Sequence, residues 1–211
     1  MTTINKYISS IILTLSFSSA HATTIYEQNY DPTIFGAYYA DQGQHLYDDF
    51  TITTNASVNS LTFWGTYWID GIAPNPANFD ITIGDSPSNI DNIFSATATP
   101  TITDTGFDHN GQPGANILEF NITFNTVIQL AANTQYFLGI YSNDNNPTNR
   151  FEWIRSNQTG TLYSNGNPSE LGNTSFRLSS TSTNVPEPTT TVLMGLGFAG
   201  LGYARRRKAQ A

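Results

Sequence analysis

From Asn116 to Phe124 the chain alternates without a break. Leu118, Phe120, Ile122 and Phe124 fall on one side, and Ile117, Glu119, Asn121 and Thr123 on the other. A period of two belongs to an extended strand with one face against a core. No stretch between Thr23 and Asn184 sustains a helical period in its place. Short β-branched and aromatic runs recur instead, separated by Asn, Asp, Gly and Pro. They predict strands over Leu46 to Thr53, Val58 to Ile69, Phe79 to Gly84, Ile93 to Ala98, Ile117 to Phe124, Gln135 to Tyr141, Arg150 to Arg155 and Ser175 to Ser179. Polar loops fall at Asp108 to Gly114, Ser142 to Thr148 and Asn165 to Pro168. Eight or more strands at this spacing, with no internal repeat, predict an all-β domain: one antiparallel β-sandwich of jelly-roll or immunoglobulin-like shape.

The charge of this middle region narrows its partners. Between Thr23 and Asn184 lie three Arg, no Lys and fifteen Asp or Glu, a net charge of −12. Such a surface repels phosphate backbones and anionic lipid, which excludes nucleic acid. Neutral glycans, cations and cationic polymers stay open. The chain has no Cys, so the domain is stabilised by burial rather than disulfides. Thiol nucleophiles and Cys-based zinc sites are excluded with it.

Both ends carry targeting features. Lys6, the apolar run Ile8 to Phe17 and the small residues Ala20 and Ala22 make a signal peptide over residues 1–22, with cleavage by signal peptidase after Ala22. At the other end, Ser179 to Asn184 is a Ser/Thr/Asn spacer. Val185, Pro186, Glu187 and Pro188 follow, with the prolines holding Glu187 on an extended stalk. Thr189 to Ala204 is an apolar helix of 16 residues, short of the roughly 20 that span a bilayer comfortably. Arg205, Arg206, Arg207 and Lys208 then form a basic stop on the cytoplasmic side.

This order resembles the PEP-CTERM sorting signal of Gram-negative bacteria, with Pro186, Glu187 and Pro188 as its motif. The resemblance covers residues 185–211. It implies an exosortase-type membrane enzyme as partner, transient anchoring in the inner membrane, and a destination at the cell surface or in the exopolysaccharide matrix. The middle region also looks like a recurrent ectodomain of such proteins. The features are Asp48-Asp49-Phe50, Phe63-Trp64-Gly65-Thr66-Tyr67, Leu130 to Tyr136, Trp153 and Ser175-Phe176-Arg177-Leu178. That likeness implies a carbohydrate-binding-type sandwich over residues 23–178.

Several residues offer themselves for binding or chemistry. Trp64 and Trp68 share a strand face roughly 13 Å apart, a spacing that suits a glycan platform with Thr62 and Thr66 between the rings. The opposite face is apolar too, which favours a central strand buried on both sides. Trp153 faces the same choice. Asp104, Asp108 and Asn110 in one loop, and Asp144 in another, are oxygen donors of the kind calcium takes, with Asp48-Asp49 as a further contributor. Asn and Asp are equally the ordinary turn residues. His45 and His109 fit no triad or zinc spacing. A hydrolase acting on polysaccharide would need Glu119 with Glu152 or Glu170. Four Asn-x-Ser/Thr triplets, beginning at Asn55, Asn121, Asn157 and Asn173, reflect a chain rich in Asn and Thr. The reading is a non-catalytic, cofactor-free exported module, structural or glycan-binding. A calcium-stabilised adhesin is the first alternative and a hydrolase the second.

Overall fold

A computed structural model describes residues 22–31, 33, 36–67, 73–74, 77–111, 114–144, 146–169 and 172–181. The signal segment with Ala20, Trp68, Glu170, the side chain of Asn110, the Pro186-Glu187-Pro188 motif and the Arg205 to Lys208 cluster lie outside the described residues. Among the described residues thirteen strands are present: β1 (Ala22–Gln28), β2 (Ala37–Tyr39), β3 (Leu46–Thr51), β4 (Ala56–Tyr67), β5 (Phe79–Gly84), β6 (Phe94–Ala98), β7 (Thr101–Asp108), β8 (Asn116–Leu130), β9 (Gln135–Ser142), β10 (Phe151–Ile154), β11 (Leu162–Ser164), β12 (Asn167–Ser169) and β13 (Phe176–Thr181). A 3-10 turn spans His109–Gly111. Among the described residues no helix is long and apolar enough to cross a membrane.

The strands form two antiparallel sheets. In the first, β4 pairs with β8 on one edge, and β7 lies beyond β8. The other edge of β4 is shared: β13 runs beside Ser60 to Phe63 and β10 beside Gly65 to Tyr67. β1 closes the sheet beyond β13, and β2 beyond β10. The second sheet has the order β12-β11-β3-β9-β5-β6.

Their inner faces meet through aromatic rings. Phe79 of β5 reaches Phe63, Phe120 and Phe151 of the first sheet at 5.1, 5.3 and 4.9 Å between ring centroids. Phe50 of β3 likewise meets Tyr26 and Phe176, at 5.3 and 5.7 Å. Such pairs are each worth about 0.5–1.5 kcal/mol beyond the area they bury, which matters in a domain without disulfides. Gly65 makes room for the Phe151 ring of the neighbouring strand: a Cβ there would lie 2.3 Å from Cε2 of Phe151.

All eight strands expected from the sequence are present, with ends shifted by a few residues. β8 runs on to Leu130, six residues past Phe124. The spacer expectation is corrected at Ser179, Ser180 and Thr181. These belong to β13 and pair with Thr24, Thr23 and Ala22 of β1, so the polar run continues a strand of the sheet, with Ser179 buried between β1 and β4. The chain thus enters and leaves the sandwich on neighbouring strands, with Ala22 beside Thr181.

Candidate functional site

On β4, odd positions from Leu61 to Tyr67 face the second sheet, and Thr62, Trp64 and Thr66 face outward. Trp64 is nevertheless only 4% exposed. It packs with Ile117 and Ile154 in a small outer cluster under Tyr30, whose ring centroid is 5.2 Å away. The Arg177 guanidinium stands 5.5 Å from the Trp64 ring centre. Trp153 is wholly buried in the main core, where its indole N–H donates to the Ser175 carbonyl at 2.9 Å. Neither residue offers a ring to a glycan, which corrects the platform reading at both positions. β4 is a central strand buried on both faces, so even its outward tryptophan is covered.

The rest of this face is a polar row, bonded side chain to side chain at Thr62, Asn121 and Glu119, while the buried Thr66 hydroxyl has no hydrogen-bond partner. The Thr62 hydroxyl donates to Asn121 Oδ1 at 2.7 Å, and Asn121 Nδ2 donates to Glu119 at 2.9 Å. Glu152 is buried across from Thr66 and Tyr39. Burial pushes its carboxyl up to about 7, against the hydrogen bond from Tyr39 and the nearby charge of Arg150. Arg150 itself lies 3.7 Å above the Tyr39 ring and is held by Asp41 Oδ1 at 2.9 and 2.7 Å. Glu119 and Glu152 stand two strands and two residues apart, with β4 between them. Strand spacing makes that roughly 12 Å between backbones, with both residues on the same outer face.

The aspartates are occupied by turns and strands. Asp104 accepts from Gly106 N–H at 2.8 Å and from Asn116 Nδ2 at 2.6 Å, pinning a bulge between β7 and β8. Asp108 lies in β7 opposite Asn116. Asp144 caps its own loop by accepting from Asn146 N–H at 3.1 Å. Asp48 and Asp49 point to opposite faces of β3, because successive strand residues do. Asp49 accepts from Thr161 N–H and Gln135, whereas Asp48 is buried and accepts from the amide and hydroxyl of Thr174. Burial pushes the Asp48 carboxyl up to about 8. Among the described residues no three His, Asp or Glu converge as a metal group.

The second sheet presents a different outer face. Register places Tyr47, Gly139, Thr82 and Ser95 in one row across β3, β9, β5 and β6. Tyr141, Asp80 and Thr97 form the next row, flanked by His45. All of these except Thr97 line a cleft of about 310 Å³, with Asp91 on its rim. Its floor is the bare backbone of Gly139, where a Cβ would sit 2.4 Å from Thr82 Oγ1 and 2.9 Å from the Tyr47 ring. Tyr141 is braced twice: its hydroxyl accepts from Gly43 N–H at 3.0 Å, and its ring stacks on His45 with centroids 4.2 Å apart. Asp80 Oδ1 accepts from Thr97 and Asn143.

This cleft went unread in the sequence. The period-two pattern marks Tyr47, Asp80 and Thr82 as outward, but only strand pairing puts β3 beside β9 and β9 beside β5. The cleft also sits away from Ala22 and Thr181, where the described strands β1 and β13 meet. Asp48 meets Thr174 and Phe50 meets Phe176, so β3 and β13 run the same way. The cleft, at the start of β3, therefore lies away from Thr181.

Comparison with known proteins bears on the tail. Residues 184–208 match the PEP-CTERM protein-sorting motif, beginning three positions beyond β13. No curated protein matches the chain. The chain carries a PEP-CTERM sorting motif, the mark of an exported protein handled by an exosortase-type system.

Proposed function

We propose that the protein is a non-catalytic glycan-associated module, delivered to the cell surface or exopolysaccharide matrix after transient anchoring in the inner membrane. The observation that carries this reading is the sorting motif at residues 184–208, attached directly to an acidic, lysine-free sandwich. The tail acts as a disposable tether: its apolar segment is short and interrupted by Gly195, Gly197, Gly200 and Gly202, and it ends in a cationic cluster. The domain ahead of it supports binding rather than turnover. Glu119 is bonded into a side-chain row, and Glu152 is buried under Tyr39 on the far side of β4.

Fractionation of the native host with mass spectrometry of the recovered protein tests the tether. The mature polypeptide is expected in the matrix or on the surface, beginning at Thr23 and lacking Arg205 to Lys208. Glu187→Ala should strand it in the inner membrane. Recovery of matrix protein still bearing its terminal arginines would overturn the reading. Release of reducing ends from the host's own polymer, abolished by Glu119→Gln, would replace the binding module with a hydrolase.

A further inference from the structure

We propose that the cleft over Gly139 binds a sugar chain carrying no carboxylate or sulfate, an inference that rests on reading the domain as a glycan-associated module. Its aromatic wall is set before any ligand arrives. Tyr141 is fixed by the Gly43 amide and by the His45 ring, and Tyr47 leans over the side-chain-free backbone of Gly139. A ring already held in place loses little freedom on binding. The C–H face of a pyranose is apolar and packs on such rings, while its hydroxyls need donors and acceptors at the rim. Thr82, Ser95 and Asp80 supply both in the adjoining positions.

Charge selects the class of sugar. The three arginines between Thr23 and Asn184 all belong to the first sheet: Arg150 with Asp41, Arg155 beside Tyr38, and Arg177 with Glu27. The cleft is lined by Asp80 and Asp91 and by no Lys or Arg. A uronate or sulfated polymer would meet two carboxylates with no cation to offset them. A neutral chain meets no such penalty, and an amine-bearing one is attracted.

Calorimetric titration of the detergent-purified full chain separates these cases. The probes are a neutral glucan oligomer, a glucosamine oligomer with free amines, and a galacturonan oligomer. The first two are expected to bind, the amine form more tightly at low salt, and the galacturonan not to bind. Tyr141→Ala should weaken binding about tenfold, the loss of one stacked ring. Ser95→Trp, at an exposed position, should block the cleft with the melting temperature unchanged. Asp80→Asn should weaken the preference for amines, and Asp80→Asn with Asp91→Asn should erase it. Galacturonan binding as tight as glucan, or full affinity in Ser95→Trp, overturns the proposal. Binding to none of the three also overturns it, yet leaves the wider reading intact if the protein is still retained in the host's matrix. Failure of that retention is what sinks the wider reading.

Discussion

The two outer faces of the sandwich are built from similar residues and end in opposite states. Each carries aromatic rings, carboxylates and hydroxyls on alternate strand positions. On the first sheet Tyr30 closes over Trp64, Arg177 stacks against it, and Glu152 sinks beneath Tyr39. On the second, Thr82 and Tyr47 lean in over the bare backbone of Gly139, and Tyr47, Tyr141 and His45 line an open cleft. Cations make part of the difference. Arg150 and Arg177 pair with Asp41 and Glu27 and lie over Tyr39 and Trp64 of the first face, whereas the cleft on the second has two carboxylates and no cation in its lining. A polar, aromatic sheet face is thus no sign of a site until its cover is known.

The largest expected effect breaks the covered face. Trp64→Ala removes the centre of the outer cluster and should lower stability by about 3 kcal/mol. Thermal or urea unfolding would measure it. Tyr141→Ala, its counterpart on the open face, should cost well under half as much. Equal losses would mean that the second face is packed like the first, and the contrast would fail.

The next effect comes from the carboxyls that folding has buried. Asp48 accepts from Thr174, while its other oxygen and Gln28 Oε1 are buried acceptors without a donor. A proton on Asp48 supplies one. The folded domain holds that proton up to about pH 8, the unfolded chain only to near pH 4. Between those values the native state binds more protons, so its extra stability is complete below pH 4 and is lost as pH rises through 8. The loss approaches about 1.4 kcal/mol per pH unit at its steepest. Glu152, raised to about 7, adds in the same direction. Melting temperature should therefore fall from pH 5 to pH 8. Asp48→Asn, whose amide donates toward Gln28 at every pH, should flatten the slope. An unchanged slope in that variant would clear Asp48 of the effect.

How much of this was legible follows from what each signal depends on. The β8 alternation and the β-branched runs are local, so eight strands could be read directly. β7, with the sequence Thr101 to Asp108, carries no alternation, since its two apolar residues Ile102 and Phe107 fall on opposite parities and the rest is polar or Gly. The hairpin of β11 and β12 was read as a plain loop. Its Asn165-Gly166 pair, with φ of 49° and 79°, is the left-handed two-residue turn that joins tight hairpins. The cleft depends on register across four strands, and burial of Trp64 depends on Tyr30, 34 positions away; neither distance is visible along a chain. Asp48 and Asp49 show the converse case. Their adjacency in sequence looked like a shared site, and strand geometry sends them to opposite faces.

A smaller effect sharpens the open face. Gly139→Ala forces Thr82 and Tyr47 to yield to the added methyl, and should cost about 1–2 kcal/mol while narrowing the cleft floor. Affinity for a neutral oligosaccharide should fall more than stability does. The reverse order would place the ligand away from Gly139.

Calcium should make the least difference. Asp104 is engaged by Gly106 and Asn116, Asp144 by its own loop, and Asp108 lies in β7. An ion would have to displace those bonds while gathering carboxylates from separate segments, whereas calcium takes six to eight oxygens around one point. Scanning calorimetry with excess chelator, and again with millimolar calcium, is therefore expected to give the same melting temperature within about a degree, since an ion bound at a hundred times its Kd would add about 2.7 kcal/mol. A rise of several degrees in calcium would restore the adhesin alternative. It would also put the domain's uncompensated charge to a structural use that neither face, as folded, provides.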